Sequence, residues 1–144
     1  MTHEDAGHYA RKHAQGTRVN PAIRDALLER TKDGKLPCAI AFDIAKRLGV
    51  SPGQVGKTAD LMELRLVKCQ LGLFGYGRRK SIVKSVASVN PELKKAILEA
   101  LINDRLPCRR AWEIAAAFGI HKLRVSAVCN AIGVRIKPCQ LGAF

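Results

Sequence analysis

AFDIAKRLGVSPGQVGKTADL (Ala41–Leu61) decides how this chain reads, because its pattern returns seventy residues later as AWEIAAAFGIHKLRVSAVCNA (Ala111–Ala131). In the first copy Ala41, Ile44, Ala45 and Leu48 fall at helical spacing, followed by Val50, Val55 and Ala59; the second copy has Ala111, Ile114, Ala115 and Phe118, then Ile120, Val125 and Val128. Gly49 and Gly119 stand between the two halves, where a left-handed residue ends one helix and lets the next start at a steep angle. Two helices joined by a tight turn are expected in each copy.

Outward from that stretch, Val19–Phe74 aligns with Val89–Phe144 without a gap and pairs twenty identical residues. The shared anchors include VNP (19–21 and 89–91), LPC (36–38 and 106–108) and CQLG followed by Phe (69–74 and 139–144). An internal repeat of this length implies one small fold made twice, each near the lower size limit for burying a core. The expected organisation is a flexible tail over 1–18, a first unit over 19–74, a basic linker or wing over 75–89 and a second unit over 89–144.

Asn20-Pro21 and Asn90-Pro91 open the first helix of each unit, with Asn capping free amides and Pro fitting the first turn. Ile23, Ala26, Leu27 and Arg30, matched by Leu93, Ala96, Ile97 and Ala100, give that helix an inward face. Asp33-Gly34 and Asn103-Asp104 supply turns. The LPC segments hold a proline and are short, which predicts an edge strand or extended crossing. Arg65–Gln70 and Arg135–Gln140 have strand character. In the first unit, Gly72, Gly75 and Gly77 with a returning strand over Ser81–Val86 would make a wing; a basic linker is slightly favoured, since the repeat stops at Phe74. Phe74 and Phe144, at equivalent ends, are expected as core plugs.

The small residues Ala45 and Ala115, the turn glycines Gly49 and Gly119, and Val55 and Val125 together resemble the helix-turn-helix family, in the winged-helix type. The resemblance covers about twenty residues per unit. It implies a mainly α fold of two tandem three-helix units with short β-strands, and a third helix whose N-terminal residues enter the major groove of double-stranded DNA. The positions it exposes in the second unit are His121, Lys122, Leu123, Arg124, Ser126, Ala127 and Asn130, with Arg109 and Arg110 on the preceding helix. In the first they are Ser51, Pro52, Gly53, Gln54, Gly56, Lys57 and Asp60. Arg, Lys and Asn can pair with base edges, and His and Ser with phosphates. The first surface is the weaker reader, with two glycines and an acid; the second unit is expected to carry specificity. Arg78, Arg79 and Lys80 suit phosphate contact.

Charge agrees with a polyanionic partner. Twenty-five Lys and Arg against twelve Asp and Glu give +13 and a pI near 10.0, and residues 75–89 contain no acid. The other candidate partner is an acidic protein docking on the same scaffold. No apolar run approaches the ~20 residues of a membrane span, and the N-terminus lacks the apolar core of a secretory signal, so a cytoplasmic location with reduced thiols is expected.

Cys38, Cys69, Cys108 and Cys139 repeat with the units and Cys129 is extra. Buried core thiols are the simpler reading; a thiolate metal or redox site on the four repeated cysteines is the sharper one, although no CxxC or Cys/His ligand spacing is present. His3, His8 and His13, five apart, do not share a helical face. Gly56-Lys57-Thr58 fails as a phosphate loop, because the earlier glycine position is Ser51 and the second copy reads Ser126-Ala127-Val128. No nucleophile and base recur with the units. The expectation is a non-enzymatic DNA-binding regulator that needs no cofactor, with the oligomeric state left open.

Overall fold

Asn20 and Asn90 each start a helix by accepting two backbone N–H groups in the side-chain oxygen. Those of Ala22 and Ile23 reach Asn20 at 3.0 and 3.2 Å, and those of Glu92 and Leu93 reach Asn90 at 2.8 and 3.3 Å. Each cap is worth about 1 kcal/mol. The computed structural model describes residues 8–79 and 81–144. It is mainly helical, with a few short strands.

The chain divides into two compact units. The first holds everything described up to Cys69 together with Gln140–Phe144; the second is Gln70–Cys139. In the first, α1 (Pro21–Arg30) leads to β1 (Lys35–Pro37), α2 (Cys38–Leu48), α3 (Pro52–Leu61) and β2 (Arg65–Val67). In the second, α4 (Pro91–Glu99) leads to β3 (Arg105–Leu106), α5 (Cys108–Phe118), α6 (Lys122–Ala131) and β4 (Arg135–Ile136). β1 pairs parallel with β2, Leu36 opposite Leu66, and β3 pairs parallel with β4, Leu106 opposite Ile136.

The glycine turns form as their chemistry requires. Gly49 and Gly119 take φ of 66° and 63°. Val50 and Ile120 donate back to the carbonyls of Ala45 and Ala115 at 3.0 Å, and the glycine N–H groups donate to those of Lys46 and Ala116. This pair of hydrogen bonds closes the end of α2 and of α5. Ile23, Leu27, Ala41 and Val55 are fully buried in the first core, as Ile97, Leu106, Ala111 and Val125 are in the second. Arg30, expected on the inward face, is half-exposed and pairs with Asp43, which also meets Arg47 at 2.9 Å. The hydrogen bond from Arg30 is the main reason the Asp43 carboxyl titrates below its ordinary value.

The unit boundaries differ from those of the sequence repeat. Gln70–Phe74, which closes the first repeat, belongs to the second compact unit, and Gln140–Phe144 to the first. Leu71, Gly72, Leu141 and Ala143 are buried in these segments, whereas Phe74 and Phe144, expected as plugs, are half-buried. In the first unit Leu141 lies backbone-on against α3 at Gly56, where an added Cβ would stand 1.9 Å from the Leu141 carbonyl oxygen. In the second, the Gly72 carbonyl accepts from Ile82 N–H at 2.9 Å and the Ser81 hydroxyl at 3.0 Å.

Two further expectations change. Tail residues 1–7, His3 among them, lie outside the described residues, but the described part of 1–18 is docked: Tyr9–Lys12 forms a 3₁₀ turn and Tyr9 is buried. Glu63, at φ 55°, accepts the N–H groups of Tyr9 and Ala10, each at 2.9 Å. Asp60 receives Lys12 Nζ at 3.1 Å and His13 Nε2 at 2.8 Å. The repeat partner of Glu63 is Gly133, also at positive φ. A carboxylate has replaced the permissive residue there, and the bonds it makes to the Tyr9–Lys12 turn account for the strained backbone. The 75–89 stretch belongs to the second unit, and Ser81–Val86 carries no strand, only the hydrogen bonds to Gly72 and the preceding Tyr76–Arg79 bridge. The wing is therefore not built as a strand pair.

Gly53 and Gly56 separate helix propensity from packing. Alanine at an exposed helical glycine gains about 0.5–1 kcal/mol. Gly53→Ala, whose nearest non-neighbouring atom is 3.8 Å from an added Cβ, should be neutral to stabilising by that amount. Gly56→Ala should lose about 1–3 kcal/mol through overpacking. Urea unfolding of the two variants side by side checks the opposite signs.

Candidate nucleic-acid interface

The third helix of each unit starts differently. In the first unit Ser51 Oγ accepts the Gln54 N–H at 3.2 Å and Gln54 Oε1 accepts the Ser51 N–H at 3.0 Å, a reciprocal capping box. Both side chains expected to reach DNA are thereby used to close the helix start. In the second unit His121 occupies the cap position and makes no side-chain cap hydrogen bond. The Arg124 N–H donates to the His121 carbonyl at 3.0 Å, and the amides of Lys122 and Leu123, which no side chain caps, stand at the positive end of the helix dipole.

Around that start the structure gathers His121, Lys122 and Arg124. His121 and Arg124 are exposed and line a cleft of about 340 Å³ with Asn90, Leu93, Phe118 and Ile120. Arg124 also borders a second hollow of about 520 Å³ over Ser88–Glu92. Lys122 is half-buried, its ammonium 4.4 Å from the centroid of the Trp112 ring. A cation–π contact of this kind is worth about 0.5–1 kcal/mol near the surface, and it holds the charge beside the helix start.

Arg109 and Arg110 are exposed in the first turn of α5 but not idle. Arg109 Nε lies 3.2 Å and Arg110 Nη1 3.1 Å from the two Glu113 oxygens. The Arg110 hydrogen bond is the main cause holding the Glu113 carboxyl below its ordinary value. One carboxylate shared by two guanidiniums leaves net positive charge. Arg78 and Arg79 are exposed in the second unit; Lys80 lies outside the described residues. Lys57 on α3 and Asn130 on α6 are also exposed.

Four positions expected at the surface are inside. Ser126 is 2% exposed and Ala127 is buried in the second unit; Gly56 and Asp60 are buried in the first. The cause in the first unit is the seated Gln140–Phe144 segment and the Tyr9–His13 stretch, neither of which a helix-by-helix reading places on α3. Glu63 and Gly56 decide these contacts, and the only sign of this in the sequence is the difference between the copies, Glu63 against Gly133 and Gly56 against Ser126.

The thiol alternative also changes. All five cysteines are thiols; Cys38, Cys69, Cys108 and Cys129 are buried and Cys139 is half-exposed. Among the described residues no group of three or more His, Cys, Asp or Glu side chains is placed to hold a metal ion; Cys38 and Cys69 belong to the first unit, Cys108 and Cys139 to the second. Burial pushes the Cys129 thiol up to about 12. A raised thiol value means the neutral form is favoured by folding: its contribution is complete below the ordinary thiol value of 9.0 and is lost as pH rises from there toward about 12. Among the described residues no helix is long and apolar enough to cross a membrane.

Two measurements follow from this packing. Iodoacetamide at pH 8, read by peptide mass spectrometry, should label Cys139 first and Cys129 last, the latter at the rate of unfolding. Ser126→Ala should be neutral or stabilising by about 1 kcal/mol in thermal unfolding, because the buried Ser126 hydroxyl makes no hydrogen bond; a residue reading DNA would instead cost affinity.

Comparison with family models, with curated proteins and with solved structures finds no match.

Proposed function

We propose that the chain is a non-enzymatic DNA-binding protein, a regulator of transcription, built from two tandem helix-turn-helix units, and that the second unit's third helix is the principal reader of duplex DNA. The observation that carries this is the start of α6: a helix N-terminus without a side-chain cap, with His121, Lys122 and Arg124 around it, on a chain of charge +13. Backbone amides and cations converging there are the groups that bind a phosphate oxygen. Arg124 and Asn130 then supply the side chains suited to guanine and adenine edges.

The helix-turn-helix frame is supported by the three-residue turn Gly49–Ser51 and its copy Gly119–His121, and by buried Ala45, Ala115, Val55 and Val125. Support for a winged variety is confined to the short strand pairs, which are parallel. On this reading the first unit contributes charge through Lys57, while its Ser51 and Gln54 serve the helix cap. Arg78, Arg79, Arg109 and Arg110 add phosphate attraction that sets affinity and salt dependence.

A second reading, docking on an acidic protein partner, draws on Leu98 and Ile102, four residues apart and 46% and 58% exposed. Apolar contact of that size beside basic residues is what a protein interface uses at its centre and rim.

Fluorescence anisotropy with duplex DNA over a salt series separates the two. Arg124→Ala should weaken binding by about 1–3 kcal/mol and lower the log–log salt slope by about 1, whereas Gln54→Ala should change stability rather than affinity. Absence of duplex binding at low salt, or affinity unchanged by Arg124→Ala, overturns the proposal.

A further inference from the structure

The Gln140–Phe144 segment behaves in this chain as a peptide bound to a site. Its seat is the face of α3 marked by Gly53 and Gly56, one helical turn apart. An added Cβ at Gly56 would lie 1.9, 2.7 and 3.0 Å from the carbonyl oxygen, carbonyl carbon and Cα of Leu141, and one at Gly53 would lie 3.9 Å from the Gln140 carbonyl oxygen. The segment's backbone therefore lies directly on the helix at Gly56, which only a residue without a Cβ allows, and in ordinary contact with it at Gly53. Leu141 and Ala143 are buried, and Lys12 Nζ donates to the Gly142 carbonyl at 3.0 Å. Lys12 is itself fixed by Asp60, and Tyr9, Leu64 and Leu66 join Asp60 around Ala143.

The second unit takes the same three residues, Gln70-Leu71-Gly72, in a different way. The positions of Gly53 and Gly56 are Leu123 and Ser126 there, and Gly72 lies against the Leu123 side chain, 2.3 Å from Cδ2 to an added Cβ. The seat on α3 is thus particular to the first unit, and so is its lysine clamp. In sequence, the segment that fills it is separated from the rest of its unit by the whole of Gln70–Cys139.

We propose that the Gly53/Gly56 face of α3 is a homotypic docking site, and that its partner is the Gln140–Phe144 segment of a second copy of this chain. A seat filled by a segment continuous with another compact unit can be filled from the same chain or from a neighbour with the same contacts, which is the condition for segment exchange. The chain's own segment competes at an effective concentration in the millimolar range, so the wild-type protein is monomeric at micromolar concentration and exchanges as it becomes concentrated. This inference stands independently of DNA binding.

Two full-length variants test it. Leu141→Asp keeps the seat and spoils the segment; Gly56→Val keeps the segment and spoils the seat. In analytical ultracentrifugation each alone should sediment as a monomer, and an equimolar mixture should give a 1:1 heterodimer. In parallel, Leu141→Asp protein should bind a fluorescent synthetic peptide of residues 137–144, and the same peptide carrying Leu141→Asp at least tenfold more weakly. If Gly56→Val fails to fold, the peptide titration decides. No heterodimer together with no peptide binding overturns the proposal, as does equal dimerisation of either variant alone. A Leu141→Asp protein that is unfolded by circular dichroism also overturns it, since an exchangeable segment must leave a folded seat behind.

Discussion

The missing side chain at Gly56 is the constraint on which the first unit depends. It lets the Leu141 carbonyl approach a helix at a distance no Cβ would permit. That contact brings Gln140–Phe144 into the same compact body as α1, α2 and α3. It also leaves α3 with little side chain to offer a ligand on that face. Lys12 reaches the same segment, and Asp60 anchors Lys12; an acid buried on α3 would be costly without that cation.

The two copies share a frame and differ in what their third helices present. Ser51 and Gln54 in one are His121 and Arg124 in the other; Gly53 and Gly56 are Leu123 and Ser126. The first set closes its own helix start and accepts a backbone. The second leaves its helix start without a side-chain cap and surrounds it with cations. Duplicated units that keep the core and change one helix face can divide two tasks, here proposed as nucleic-acid contact and homotypic docking. Exposed arginines on α5 and before α4 would act at longer range, where screening by salt governs their effect.

Local chemistry was legible wherever a residue's role depended on its near neighbours. Asn20 and Asn90 cap as their type and position require, and Gly49 and Gly119 turn the chain because a left-handed residue favours glycine there. The buried positions Ile23 and Leu27 of α1 and Leu93 and Ile97 of α4 followed from spacing, whereas Arg30 turned outward to Asp43. Asp60 is inside for a non-local reason, the Lys12 and His13 side chains that reach it from the chain's start. Periodicity within one helix tells which face meets its own unit's helices, but not which distant segment covers the remainder.

The sequence by itself determined the helices, their caps, the two turns and the repeat, since these rest on hydrogen bonds and backbone preferences within a few residues. Only the tertiary structure decided where Gln70–Phe74 and Gln140–Phe144 go. Both carry the same Gln-Leu-Gly, and nothing local distinguishes their destinations; a backbone fits against Gly56 where the equivalent Ser126 carries a side chain. The boundaries of the compact units, and the covering of α3 at Gly56, come from that fit.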